Sequence, residues 1–300
     1  MNERRMLLLA VQSGLFCFSL SYFAAAWAGN PAETERLLAG RSCPHCDLRY
    51  ENATGLIAKG VDLSGAYMFN INLHSARLNG ASLASVNLQT ANLERADLSR
   101  TRLDRATLSS ASLNGATLIG SSLQQVEARE ANFDTADLSD ADLSTADLRR
   151  SSFIQAFAEN ANFMSADLRM SNFSKARLSG AQFVNANLAD ANFSATHLPS
   201  ADMRRALMSR VNLSGANLSY SDLSGVVLKG ANLRRANLTG VNLSHADLQD
   251  ADMSGAEMGS TVLEGALTCG ARFPAGVQVT PCEAGNGQRP VLSSANSSEL

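Results

Sequence analysis

Residues 61–80 read VDLSG AYMFN INLHS ARLNG, four five-residue units whose centres are the bulky apolar residues Leu63, Met68, Leu73 and Leu78. Leucine or a residue of like bulk returns at every fifth position from Leu63 to Leu263, 41 places without a slip of register, and only Ala128 and Ala158 lack the bulk. Two residues before each centre stands a small or β-branched residue, as at Ala66, Ala76, Ala81 and Val86. The residue between the two is mostly Asp, Asn, Ser, Thr or Arg. A period of five suits neither an isolated helix nor a flat strand. At about 100° per residue such leucines scatter around a helix, and on a strand an odd period sends them to alternate faces. All of them stay inside only if the chain turns a corner once per unit.

With one unit per side, four sides close a square coil of twenty residues, and stacked coils form parallel ladders about 4.8 Å apart. The central leucine and the alanine two before it point inward, and the intervening residue points out. Glycine marks the corners. Of the twelve glycines between residues 61 and 265, eleven stand two after the centre, among them Gly65, Gly80, Gly115 and Gly180. A type II turn needs φ > 0 there, which glycine adopts without steric cost. Pro199 stands one place earlier, where such a turn accepts proline.

These in-register A-(D/N)-L-x-x units resemble the pentapeptide-repeat family across roughly residues 46–273. The resemblance implies an all-β fold, a right-handed quadrilateral parallel β-helix (β-solenoid), here with a short N-terminal capping helix. Another β-solenoid of different coil length is the alternative, and a leucine-rich horseshoe needs longer repeats. Ala53 and Ala58 hold leucine places, so the first coil departs from the pattern.

The expected organisation is a signal peptide over 1–28, a cap helix and C-x-x-C turn over 29–45, the β-helix over 46–273, and a C-terminal cap loop with a disordered tail over 274–300. Arg4 and Arg5 precede an apolar stretch from Met6 to Ala28, and Ala26-Trp27-Ala28 fits cleavage after Ala28. Such a leader places the chain in the periplasm or outside the cell, and the paired arginines hint at twin-arginine export. Left uncleaved, the stretch is long enough to span a membrane. Cys17 lacks the small neighbour of a lipoprotein signal. Asn30-Pro31-Ala32-Glu33 reads as a helix start and Gly40 as its terminator, with Leu37 and Leu38 covering the first coil.

Formal charge is −3, or −4 once Glu3, Arg4 and Arg5 are removed, which does not favour nucleic acid as a partner. Four cysteines follow the leader, Cys43 and Cys46 near one end and Cys269 and Cys282 near the other. Roughly ten coils, about 50 Å, separate the pairs, so two local disulfides are expected, Cys43–Cys46 and Cys269–Cys282. Cys43-Pro44-His45-Cys46 is also the active-site string of periplasmic thiol oxidases, but those set it in a βαβ context, whereas Cys46 and Leu48 already stand in repeat register. A C-x-x-C before the first repeat is also similar to exported members of the family.

Residues twenty apart stack. Leu113, Phe133, Phe153, Phe173, Phe193 and Leu213 form one inner column, and Phe163 and Phe183 lie opposite. Phe157 turns outward or swaps inward through a bulge. Asn72, Asn92, Ser112, Asn132, Ser152, Asn172, Asn192, Asn212 and Asn232 form an outward uncharged row whose amides can bond along the ladder. On another face Glu127 and Arg129, Asp147 and Arg149, and Asp167 and Arg169 are expected to pair.

His45, His74, His197 and His245 fall on separate coils or in the cysteine turn, and no catalytic, cofactor-binding or metal-binding set is recognised. Three functions remain: a non-catalytic exported scaffold or interaction module; a mimic of duplex DNA that binds a topoisomerase, which the family resemblance allows; and a thiol-disulfide redox protein acting through Cys43 and Cys46. The expected partner is a protein or an envelope component. Nucleic acid is not expected, a membrane enters only through an uncleaved leader, and a homodimer joined at the solenoid ends is compatible.

Overall fold

In a computed structural model the described residues are 29–277. The expected signal peptide over 1–28, the stretch beyond residue 277 and Cys282 lie outside them. From Asp47 to Asp252 each outward mid-unit residue makes a parallel bridge with the residue twenty ahead, as in Asp47↔Tyr67, Asn52↔Asn72, Ile57↔Arg77 and Asp62↔Ser82. Four such series define four walls. The first runs through Asp47 and Tyr67, the second through Asn52 and Asn72, the third through Ile57 and Arg77, and the fourth through Asp62 and Ser82. Each side contributes one bridged residue and no longer strand. The cause is arithmetic: two of every five residues are spent on the turn.

The backbone repeats one bonding scheme. Leu88 N donates to Thr107 O of the next coil (2.7 Å), Thr90 N to Ser109 O (3.0 Å), Asn87 N back to Ala66 O (3.0 Å), and Ala91 N to Leu88 O to close the corner (3.0 Å). One amide per unit, that just after the central residue, is left over. Asn or Asp two residues earlier takes it: Asn92 Oδ1 accepts Glu94 N at 3.0 Å, and Asp222 Oδ1 accepts Ser224 N at 2.9 Å. This is why the unit favours Asp and Asn, since an unmet amide is costly. Where the place holds serine, a carboxylate from the preceding coil substitutes: Ile154 N donates to Asp134 Oδ1 at 2.8 Å, and Gln124 N to Asp104 Oδ1 at 3.3 Å. Pro44 and Pro199 occupy the same place and present no amide.

Every corner from His45 to Gly270 turns through positive φ, whether or not it holds glycine. Non-glycine corners lie between 54° at Ala195 and 62° at Met170. At some corners glycine serves a second purpose, which its position alone did not reveal; at others, such as Gly80 and Gly215, an added Cβ would meet nothing. A Cβ at Gly240 would fall 2.6 Å from the Tyr220 ring, and one at Gly65 would fall 2.5 Å from His45 Nδ1. Large corner side chains lean over the next coil, and glycine makes room there.

The core is a filled column. Central residues and the alanines two before them are buried, including Ala53 and Ala58, so the first coil keeps the register. Phe133, Phe153, Phe173 and Phe193 stack at centroid spacings of 4.8, 4.4 and 4.7 Å. Phe163 and Phe183 stack at 4.9 Å and meet that column edge-on, as at 5.7 Å between Phe163 and Phe173. Ala158, fully buried on the wall between Phe153 and Phe163, leaves the space to the rings. Phe157 keeps its bridges and points out, with the Arg177 guanidinium 5.5 Å from its ring centre; no bulge is needed. Ser or Thr in an alanine place stays satisfied, as where Ser121 Oγ donates to Leu118 O at 2.6 Å.

Helix α1, Pro31–Leu38, caps the first coil. Asn30 Oδ1 accepts Ala32 N at 3.1 Å, and Glu33 Oε2 accepts Asp47 N at 2.6 Å, closing an edge amide of the first coil. Leu37 is buried, but Leu38 is exposed. The expectation that both cover the coil is corrected, because adjacent residues on one turn of helix cannot face the same way.

Candidate functional site

Cys43 and Cys46 are bonded, with Cα atoms 5.6 Å apart. Cys43 occupies a leucine place, Pro44 the place after it, His45 the positive-φ corner and Cys46 an alanine place. Cys46 N donates to Cys43 O at 3.4 Å, the same corner bond as elsewhere in the rod. The sulfurs thus replace an inward leucine–alanine pair across one corner. Cys43 is 0 % exposed, whereas a redox cysteine must meet its substrate. Cys269 is also in the described rod; the expected Cys269–Cys282 bridge involves a residue outside it.

The histidines do not converge. His74 Nδ1 lies 3.8 Å from Glu94 on the second wall, His197 meets Asn217 at 3.3 Å on the third, and His45 and His245 hold corners. Among the described residues no three His, Cys, Asp or Glu side chains form a metal-holding group, and no helix is long and apolar enough to cross a membrane.

The most structured surface is the middle of the first wall. Asp147 forks to Arg149 through Nε (2.8 Å) and Nη2 (2.8 Å). Arg129 reaches up one coil to Asp147 at 2.7 Å. Asp167 is held in the same way by Arg169 at 2.8 and 2.6 Å, and Arg149 Nε lies 3.5 Å from it. Two of the three pairs expected within a side form, Asp147–Arg149 and Asp167–Arg169. Arg129 instead leaves Glu127 for the next coil, because residues eighteen apart are also neighbours on a stacked wall. This relation follows from the coil length and is invisible in a side read alone.

Hydrogen bonds from Arg149 first, and then Arg129, hold the Asp147 carboxyl down at about 2. Asp147 raises the Arg149 guanidinium pKa in return. At the adjacent corners Arg150 faces Glu130 at 3.6 Å and Arg210 forks to Asp190 at 2.7 and 2.6 Å. Between the two rows runs an open trough of about 510 Å3, lined on one side by Arg129, Arg149 and Arg169 and on the other by Glu130, Arg150, Met170 and Asp190. The single-sequence reading missed Met170, which stands exposed at a corner among these charges.

The second wall differs. Asn192 Nδ2 donates to Asn172 Oδ1, Asn212 to Asn192 and Asn232 to Asn212, each at 3.1 Å. Below this run Ser112 and Ser152 interrupt the row and bond to Glu94 and Asp134.

Comparison with curated proteins finds no sequence match. Among solved structures, HetL, a pentapeptide repeat protein involved in heterocyst differentiation regulation from the cyanobacterium Nostoc, is 28% identical over 81% of this chain and 96% of its own, with a TM-score of 0.40. QnrB1, a plasmid-mediated fluoroquinolone resistance protein, is 19% identical over 56% of this chain and 89% of its own, with a TM-score of 0.31. A pentapeptide repeat protein of the Arabidopsis thaliana thylakoid lumen is 30% identical over 36% of this chain and 68% of its own, with a TM-score of 0.18. The pentapeptide-repeat family model matches eight copies, over residues 71–109, 111–150, 141–180, 186–225 and 221–259. With the unbroken twenty-residue register between Asp47 and Arg272, this shows that the chain belongs to the pentapeptide-repeat family, whose members fold as right-handed quadrilateral β-helices.

Proposed function

We propose that this chain is an exported, non-catalytic scaffold that binds a protein or envelope component through its walls. Pentapeptide-repeat proteins are in general non-catalytic scaffolds. The observation that carries the reading is the lattice of the first wall, where forked pairs hold side chains in fixed positions on a rigid rod. A surface ordered before it meets a partner loses less entropy on binding. Export follows from the leader-like stretch over 1–28. The bonded Cys43–Cys46 pair is at home in an oxidising compartment, and its buried position favours a staple over redox turnover. A duplex mimic needs walls of unpaired carboxylates; here Asp147, Asp167, Asp190 and Asp202 are tied to arginines.

The test is fractionation of the native host followed by cross-linking from the walls. The expected result is periplasmic or secreted protein beginning at Gly29, joined to one discrete partner. Recovery from the cytoplasm with residues 1–28 intact overturns the export claim. Inhibition of gyrase supercoiling by the purified rod would replace scaffold with topoisomerase binding, and insulin reduction dependent on Cys43 would replace it with redox chemistry.

A further inference from the structure

We infer that the trough of the first wall docks an acidic, extended segment of a protein partner, gripped by Arg129, Arg149 and Arg169 and anchored on Met170. This rests on the interaction reading above and names the chemistry of the partner. The wall side of the trough is layered by sign: the Arg129 and Arg169 side chains are 56% and 45% exposed, over Asp147 and Asp167 at 22% and 30%. On the corner side the exposed carboxylates Glu130 and Asp190 are each paired with an arginine, Arg150 and Arg210. Each arginine keeps donors to spare. Arg129 spends only Nε on Asp147, while Arg149 and Arg169 spend Nε and Nη2 and leave Nη1.

The guanidiniums of Arg129 and Arg149 converge on Asp147, and that of Arg169 is held by Asp167 one rung, about 4.8 Å, further along. An incoming carboxylate meets oriented N–H groups and pays little to order them. The trough spans the coils from Glu130 to Asp190, about 15 Å, the length of four or five extended residues. Met170 is 55% exposed in the middle of it. Exposed methionine and arginine side by side are typical of protein-binding surfaces, and the thioether gives an apolar side chain of the partner something to cover.

Cations and anions nearly balance across the lattice, so attraction acts at contact range and not through bulk field. That favours a peptide carboxylate, selected by fork geometry, over nucleic acid, whose binding depends on net positive charge and counterion release.

The experiment uses the full mature chain and three dye-labelled probes: a short peptide of mixed glutamate and leucine, the same peptide with glutamine for glutamate, and a duplex oligonucleotide. Binding is read by fluorescence anisotropy. The glutamate peptide is expected to bind saturably and the other two not. Arg129→Gln with Arg169→Gln weakens it at least about tenfold, as loss of charge-assisted hydrogen bonds requires, and Met170→Glu abolishes it. Arg234→Gln on the second wall leaves it unchanged. Circular dichroism confirms that each variant keeps the fold. Absence of glutamate-peptide binding, equal binding of the glutamine peptide, or preference for the oligonucleotide overturns the inference. If the Arg129→Gln, Arg169→Gln protein still cross-links its native partner, the trough assignment fails while the scaffold reading stands; if no wall of the wild-type rod yields a partner, the scaffold reading itself fails.

Discussion

The first and second walls share one backbone, one rung spacing and one core, yet they solve the leftover amide in different ways. On the second wall asparagine takes the amide with Oδ1 and spends Nδ2 on the asparagine one coil earlier, as Asn192 does with Ser194 and Asn172. The column is neutral and self-paired. On the first wall aspartate takes the same amide, at 3.5 Å for Arg149 N and Asp147 Oδ1, and then carries a charge that would repel Asp167 above it. Arginines from the same and neighbouring coils restore balance. An amide ladder closes on itself, whereas a carboxylate ladder recruits outward-reaching partners, and that leaves the asparagine run inert and the middle of the first wall chemically equipped.

The largest effect tests the shared interior. Ala161 is fully buried, and Ala161→Arg forces a charge into a methyl-sized site. A loss of about 4 kcal/mol or more is expected, damaging both walls together. A thermal melt matching wild type would contradict the inward assignment. Next comes the neutral wall. Asn192→Leu removes the acceptor for Ser194 N and two ladder bonds, at about 1–3 kcal/mol by denaturant titration. Asn192→Asp retains the amide acceptor and should cost less; the reverse order would show that the amide, not the ladder, is secondary.

Acid separates the walls. Asp147 is depressed from 3.8 to about 2, so the stability it supplies is full above pH 3.8 and is lost as pH falls through about 2, up to roughly 2 kcal/mol. The Asn172–Asn232 ladder holds no titrating side chain. Melting temperature measured from pH 5 to 2 should therefore fall less steeply in Asp147→Asn than in wild type, and parallel curves would refute the assigned shift.

Smaller changes probe the corners and rim. Ala195 turns through φ 54°, so Ala195→Gly should stabilise by about 0.5–1 kcal/mol by relieving left-handed strain; a lowered midpoint would count against strain at the corner. The exposed Arg210–Asp190 fork is expected to have the smallest effect, screened away in high salt, which a melt of Arg210→Gln with and without salt checks.

Much of this was legible from residues 61–80 outward. A strict period of five fixes which side chains face in, and stacking by twenty implies the phenylalanine columns and the asparagine row. What the periodicity could not show were relations between coils at other offsets. Arg129 prefers Asp147 over Glu127 because a long side chain samples neighbours eighteen residues away as readily as two. Asp134 serves Ile154 for the same reason. Positive φ at the corner was legible where glycine marked it; that residues such as Arg95 and Asp140 adopt it as well was not. The N-terminal edge obeyed helix geometry in place of the repeat, which is why Leu38 stayed outside.

The lean of large corner side chains over the following coil gives the rod a grammar for growth. Copying residues 221–240 in place would set glycine upon glycine beyond Tyr220. Copying 201–220 would set tyrosine upon tyrosine, in the space where even a single added carbon falls 2.6 Å from the ring. Lengthening by duplication is thus free at some joints, while at others the leaning side chain must swing aside, as the bulky corner residues Glu130, Arg150, Met170 and Asp190 already do one above another.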